Sequence, residues 1–275
     1  MKVNPRDRLL LLLFGLAVAC AGVSASSGLA AGLAPFWAIC CQGIANAAAS
    51  EMRPWMSLLT RLSVLSLLAF SVFVTLRRLR ITQRFGASLR ASVTSPPTRL
   101  ARLFADLGMT EHTKVLAAES PLAFCTGLLR PRIYISTSLA DALTNTELKA
   151  VLVHENHHRR RFDPLRGLLA AVFAQVLFCL PIAGELRDLM LTSSELEADR
   201  DAVQHVGRPA LAGALHRMIT HPQAARLSVP GLASLIATEV RIAELVGDRP
   251  ATPRLSVHKL MTSSAMILLA CMLVR

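Results

Sequence analysis

The longest stretch of this chain without a charged side chain runs from Leu9 to Ser50. Its first part is rich in leucine and alanine, and basic residues precede it. A membrane-spanning helix needs about 20 apolar residues, and basic flanks mark its cytoplasmic end. We therefore predict a first span at about 9–27, with its N-terminus in the cytoplasm. A cleaved secretory signal is the alternative, because Ala17–Cys20 loosely resembles a lipoprotein cleavage site.

Two further apolar stretches predict the rest of a membrane region. One covers about 57–76, and the arginine-rich segment after it is assigned to the cytoplasm by the positive-inside rule. The other is a C-terminal transmembrane helix within 255–275. The N-terminal membrane region is thus predicted to be 1–94. Within it, 28–50 is predicted to be an extracytoplasmic loop or a short re-entrant segment.

The composition agrees with a membrane protein that carries one modest polar domain. Hydrophobic residues make up 53% of the chain and charged residues 17%, against about 25% charged in ordinary soluble domains. This composition excludes a disordered chain, which needs low hydrophobicity and high charge. The net charge of +12 is explained by the cytoplasmic flanks, and almost no aromatic residues accompany the arginines, so we predict no direct nucleic-acid partner. The six cysteines form no CxxC pair.

Residues 95–254 have the pattern of a small cytoplasmic α+β domain. The predicted elements are helices at 95–108 and 138–143 and strands at 113–118, 122–126 and 132–136. Thr144 and Glu147 have capping-box spacing and open a further helix that continues to about Arg161. We therefore predict an α-helical membrane protein whose cytoplasmic domain combines a small sheet with this helix.

An HExxH pattern lies inside that helix, at His154, Glu155 and His158. Residues four apart share a helix face, so both imidazoles can bind one metal ion. Zinc lowers the pKa of a bound water toward about 7, and the adjacent carboxylate can accept its proton as general base. The alternative is a solvated polar face on an ordinary helix. His157 points away from this face and is interpreted as a bystander or a supporting residue.

A third protein ligand for zinc is predicted in a downstream acidic cluster. Glu195 and Asp199 are four apart and share a face, so Glu195 can bind the metal while Asp199 supports a ligand histidine. Glu197 lies on another side and ranks second. The apolar segment at about 165–181 separates these acids from the histidines. Because one ion cannot be shared across about 30 Å of hydrocarbon, we predict that this helix does not span the membrane.

The combination of these motifs resembles a known family. The stretches concerned are Glu147–His158, Asp163-Pro164, Glu195–Asp199 and Ala123–Tyr134. Together they are similar to the integral-membrane zinc metallopeptidases of the BlaR/MecR antirepressor type, which belong to the gluzincins. HExxH alone is generic to zinc peptidases, whereas its combination with the other motifs is more specific.

The resemblance implies a zincin-like fold and assigns roles to individual residues. It implies Zn²⁺ as cofactor, His154, His158 and Glu195 as its ligands, Glu155 as the catalytic base and Asp199 as a supporting partner. It also implies an edge strand that pairs with an extended substrate. That strand would consist of Ala123, Phe124, Cys125, Thr126 and Gly127.

The function implied by the resemblance is hydrolysis of a cytoplasmic protein by a multi-pass enzyme of the bacterial inner membrane. A transcriptional repressor is the substrate expected from the family's sensor members. The chain ends at Arg275, so we expect a short form without a penicillin-sensor domain. One alternative is a quality-control protease for membrane proteins. Another is a non-catalytic metal-binding scaffold that signals through a partner.

Overall fold

The computed structural model describes residues 53–220, 235–247 and 255–274. This part of the chain is rich in helix and contains one small mixed sheet. The strands are β1 (Val93–Thr94), β2 (Thr113–Leu116), β3 (Ala123–Thr126) and β4 (Arg132–Ser136). The helices are α1 (Arg53–Ala91), α2 (Thr98–Asp106), α3 (Thr137–Ala142), α4 (Asn145–Arg160), α5 (Asp163–Val176), α6 (Pro181–Val206), α7 (Arg208–Thr220), α8 (Leu235–Val246) and α9 (Val257–Val274).

The chain divides into two compact units. One comprises the described parts of residues 1–75, 173–186 and 254–275, and the other comprises the described parts of 76–172 and 187–253. The four-stranded sheet and the HExxH pattern both belong to the second unit. The predicted division into a membrane region and a cytoplasmic domain stays a prediction.

The sheet has the strand order β1-β2-β4-β3, which leaves β3 at one edge. β2 and β4 are parallel, whereas β3 pairs antiparallel with β4, Ala123 opposite Ile135. Gly127 ends β3 with a φ of +109°, a backbone conformation that L side chains rarely adopt. A Cβ atom there would lie 2.7 Å from the carbonyl oxygen of Arg130. Glycine is therefore required at this turn, which returns the chain from β3 to β4.

The core of the second unit holds α4 against the sheet. Apolar side chains from α2, β4, α3 and α4 meet in one buried cluster that includes Leu100, Phe104, Ile133, Ile135, Leu139, Leu148 and Leu152. Each large apolar side chain that is fully buried contributes about 1.5–3 kcal/mol to stability. The helix that carries the HExxH pattern is thus fixed by packing along its apolar face.

The predicted capping box at the start of α4 is confirmed. The Thr144 hydroxyl accepts from the backbone N–H of Glu147, and the Glu147 carboxylate accepts from the backbone N–H of Thr144. Nε of Arg217, on α7, also lies 3.1 Å from Oε1 of Glu147. Burial raises the pKa of the Glu147 carboxyl, but the hydrogen bonds from Thr144 and the charge of Arg217 outweigh burial and hold this pKa below its ordinary value.

Replacing Glu147 with Gln is expected to lower the free energy of unfolding near pH 7 by about 1 kcal/mol, the usual cost of a damaged N-cap. Because the folded-state pKa is depressed, this stabilisation is complete above about pH 4.3 and is lost as the pH falls through the folded-state value. The difference from wild type should therefore shrink in acid. Thermal unfolding followed by circular dichroism measures it, with Thr146→Ala, an exposed change in the same turn, as control. A difference independent of pH would contradict this assignment.

The first unit joins the start of α6 to the start of α9. The backbone N–H of Ile182 donates to the hydroxyl oxygen of Ser263 at 3.2 Å, and both residues are buried. Nζ of Lys259 lies 2.8 Å from a carboxylate oxygen of Glu185, which also accepts from the backbone of Ser256. These contacts fix two chain segments that lie far apart in sequence.

None of the helices in the described part of the chain combines the length and the hydropathy that a membrane crossing requires. The spans predicted at 57–76 and within 255–275 are thus not confirmed, and the span at 9–27 lies outside the described residues, as does 28–50. The apolar helix predicted at about 165–181 is observed as the 14-residue α5.

The elements predicted between residues 95 and 161 are confirmed to within a few residues. The helices α7 and α8 and the two-residue strand β1 were not predicted; β1 pairs with β2, Val93 opposite Leu116. The helix predicted at 57–76 is longer than expected, because α1 continues through the arginine-rich segment to Ala91. Arginine and leucine are good helix formers, which accounts for this extension.

Candidate metal centre

The HExxH pattern lies within the last three turns of α4, on the side that faces the protein interior. His154 and Glu155 are 5% and 7% exposed, so both side chains lie inside the second unit. The rings of His154 and His158 stand edge to face, with their centroids 4.8 Å apart. Their Nε2 atoms are 3.1 Å apart. The spacing of four residues along the helix therefore brings two imidazole nitrogens close enough to bind one metal ion.

Glu195, on α6, completes a group of three potential metal ligands. One of its carboxylate oxygens lies 3.5 Å from Nε2 of His154, and the other lies 3.6 Å from Nε2 of His158. Tetrahedral zinc with bonds of about 2.0–2.1 Å holds its ligand atoms about 3.3 Å from one another. The two imidazole nitrogens lie at about this separation, and one ligand atom from each of the three side chains lies within 4.8 Å of the others, so the group could hold one metal ion. Among the residues that the structure describes, this is the one group of this kind.

A carboxylate lies close to the Nδ1 atom of each of these two histidines. Nδ1 of His158 lies 2.8 Å from Oδ2 of Asp163. Nδ1 of His154 lies 2.8 Å from Oδ1 of Asp199, although the ring N–H does not point straight at that oxygen. A carboxylate at Nδ1 favours the tautomer whose Nε2 lone pair is free for a metal. Both imidazoles are therefore oriented as metal ligands.

The comparison with known families agrees with this geometry. The model of the BlaR1 peptidase M56 family matches residues 34–217. The chain belongs to the BlaR1 peptidase M56 family. M56 peptidases are typically metal-dependent and generally associated with membranes. No curated protein matches the chain. The matched residues include the HExxH pattern, the edge strand and the acidic cluster of this M56 peptidase, so the family resemblance expected from the motifs is confirmed.

Sequence reasoning missed two charged residues that the structure places at the M56 site. Asp163 was noted as part of a motif but not as the partner of His158. Arg241, on α8, had no assigned role. Its Nε and Nη2 atoms lie 2.7 and 2.8 Å from the two oxygens of Asp199, and its Nη1 atom lies 3.1 Å from Glu195. No periodicity in the sequence could have found a contact over 42 positions.

The charges of the site are strongly coupled. Burial raises the pKa values of Glu195 and Asp199, but their close contacts with His154 and the charge of Arg241 outweigh it and hold both below their ordinary values. Burial and Arg241 lower the pKa of His154, yet its close contacts with the carboxylates of Asp199 and Glu195 outweigh them and leave that pKa raised. The site thus favours ionised carboxylates and a positive charge between them, as a cation-binding site requires.

Glu155 has a different environment from the other acids. Its pKa is raised, mainly by burial, while the nearby charges of His154 and His158 act in the opposite direction. A carboxyl group with a raised pKa is a better proton acceptor and donor near neutral pH. The charge of Glu155 also adds to burial in raising the pKa of Cys125 on β3. This thiol stays protonated, which argues against Cys125 as a nucleophile.

The predicted substrate strand occupies the free edge of the sheet. Ala123, Phe124, Cys125 and Thr126 form β3, and Gly127 follows as the turn residue. β3 packs against α4, and the electrostatic coupling between Cys125 and Glu155 shows that the strand lies near the HExxH pattern. An unpaired strand edge offers backbone groups to another extended chain.

Two other residues considered in the sequence lie outside the candidate metal centre. His157 contacts Asp201 at 3.0 Å, which agrees with a supporting residue rather than a ligand. The carboxylate of Glu197, the second-ranked ligand, pairs with Arg161 at 2.9 Å.

Proposed function

We propose that this M56 peptidase is a membrane-embedded, zinc-dependent endopeptidase that hydrolyses peptide bonds of a cytoplasmic protein. One observation carries the proposal. Two imidazoles of α4 and a carboxylate of α6, those of His154, His158 and Glu195, converge within 4.8 Å of one another, beside the buried Glu155. This is the ligand set of a catalytic zinc site, which keeps its fourth position open.

The chain supplies the groups that peptide hydrolysis needs. When bound, zinc would polarise the scissile carbonyl and lower the pKa of a water molecule. Glu155 accepts a proton from the attacking water and passes it to the leaving amine, so that one water is consumed for each peptide bond broken. Its raised pKa suits both steps. Asp163 and Asp199 keep the two imidazoles in place throughout.

An extended segment of the substrate is proposed to pair with the free edge of β3. Main-chain hydrogen bonds give such pairing its affinity and fix the direction of the bound segment. Because β3 is only four residues long and is followed by the turn residue Gly127, it would hold a short stretch of substrate near Glu155. This position favours an endopeptidase that cuts within an extended loop or linker.

The proposed location is the bacterial inner membrane, with the site on its cytoplasmic side. Membrane association is general in the M56 family, and α1 exposes large apolar side chains, among them Leu65 and Phe73, 62% and 61% exposed. Arginines 77, 78 and 80 follow this apolar part of α1, as in a cytoplasmic flank. A transcriptional repressor is the substrate that family analogy suggests.

Removal of the metal tests this function. Full-length protein in detergent micelles, loaded with zinc, is expected to cleave a library of unstructured peptides. A zinc chelator should reduce this cleavage to background, and added zinc should restore it, because the remaining side chains cannot activate water alone. Mass spectrometry of the products gives the cut sites. Cleavage that persists after the zinc has been removed would contradict the proposal, and zinc binding without hydrolysis would favour a metal-binding scaffold.

A further inference from the structure

Arg241 connects a helix outside the family match to the metal centre. The matched residues end at 217, whereas Arg241 lies on α8. Its guanidinium makes a two-point contact with the Asp199 carboxylate and a third contact with Glu195, at 2.7, 2.8 and 3.1 Å. The side chain is 12% exposed, so these ion pairs are largely removed from water.

The two carboxylates need such a partner. Asp199 and Glu195 lie one turn apart on α6, and their side chains are 4% and 21% exposed. Like charges at this spacing repel each other, and burial makes the repulsion stronger. The planar guanidinium of arginine can bind both carboxylates at once and fix the orientation of each, whereas the compact ammonium group of lysine cannot.

We propose that Arg241 is a positioning residue of the metal centre, which fixes Glu195 toward the imidazole pair and Asp199 behind His154. The inference rests on the proposed function only in that the centre binds zinc. In the described part of the chain its hydrogen bonds and ion pairs go to the two carboxylates, so its positioning effect acts through them. The metal centre of this chain then depends on a helix beyond the region that defines the family match.

A purely structural role for Arg241 is separable from this one, because α8 has a second link to α6. Arg200 donates two hydrogen bonds to the carboxylate of Glu244, one helical turn along α8 from Arg241. This pair is more exposed, and its two side chains pair with each other rather than with Glu195 or Asp199. If Arg241 only attached α8 to α6, loss of the Arg200–Glu244 pair should have a similar effect.

Zinc affinity of the full-length protein in micelles, measured by competition with a chromogenic chelator, tests the proposal. In Arg241→Ala the dissociation constant for zinc is expected to rise about 10–100-fold, as when other partners of metal ligands are removed. The dissociation constant of Arg241→Lys should lie between those of Arg241→Ala and wild type, because lysine keeps the positive charge but lacks the planar guanidinium that binds two carboxylates at once. The cobalt-substituted forms should differ in visible absorption, which reports ligand geometry.

Arg200→Ala is the matched control and should bind zinc within about threefold of wild type, since an exposed ion pair contributes little. Wild-type affinity in Arg241→Ala would overturn the inference, and so would an equal loss in Arg200→Ala. If Arg241→Ala does not fold, Arg241→Lys decides: affinity and cobalt absorption equal to those of wild type would overturn the inference. Failure of the wild-type chain to bind zinc would overturn the proposed function as well, whereas zinc binding insensitive to Arg241 would overturn this inference alone.

Discussion

The Glu155→Gln variant is expected to bind zinc as tightly as the wild-type chain and to cleave peptides about 10²–10⁴-fold more slowly, the usual contribution of a general base. The amide has nearly the shape of the carboxyl group but cannot accept the proton of the attacking water. Glu155 is no member of the ligand group, so the zinc content should stay unchanged. Rates of peptide cleavage and the zinc content per chain, measured on the same sample, give the result.

Glu197→Gln is the control for this experiment, because it changes an acid of α6 that pairs with Arg161 and not with the metal centre. It should cleave at the wild-type rate. If Glu155→Gln cleaves as fast as wild type, Glu155 is not the base. If Glu197→Gln loses zinc, Glu197 rather than Glu195 is the third metal ligand.

The His158→Ala variant is expected to lose both zinc and activity. Loss of a residue that only supports a metal ligand lowers metal affinity about 10–100-fold. Loss of an imidazole that binds the metal directly should lower it further, so the zinc dissociation constant should rise by more than about a hundredfold. Replacement of His158 also leaves the Asp163 carboxylate without its imidazole partner. Chelator competition measures the affinity, and peptide cleavage at saturating zinc shows whether activity returns.

His157 provides the comparison, since it is the adjacent residue on the same helix and contacts Asp201 instead. His157→Ala should retain zinc within a few-fold of wild type. The assignment of ligands is wrong if this variant loses zinc while His158→Ala keeps it.

The residues that sequence could place at the site are those with a local pattern. Two histidines four apart within a capped helix must share a face, and the same holds for Glu195 and Asp199. No local pattern indicates that the helix with the two histidines contacts the helix with Glu195 and Asp199. The expectation that they meet rests on the chemistry of zinc, which requires a third ligand, and the structure brings the Glu195 carboxylate to within 3.5 and 3.6 Å of the two imidazoles.

The parts that sequence could not place depend on contacts between distant segments. Arg241 reaches Asp199 over 42 positions, and Ser194 reaches Asp163 over 31. A single charged residue on a helix surface gives no indication of such a partner. The strand order is a similar case, because β2 and β4 pair in parallel although β3 lies between them in sequence. Strand propensities predict the elements, whereas side-chain packing decides the order.

Asp163 has a consequence for how the centre can respond to the rest of the protein. Its Oδ2 atom accepts from the hydroxyl of Ser194, the residue before Glu195, and also lies 2.8 Å from Nδ1 of His158. One acid therefore couples the ring of a ligand on α4 to the backbone of the helix that supplies another ligand. A displacement of this part of α6 would therefore move Asp163 together with Glu195, so that two of the three candidate metal ligands respond to the position of one helix.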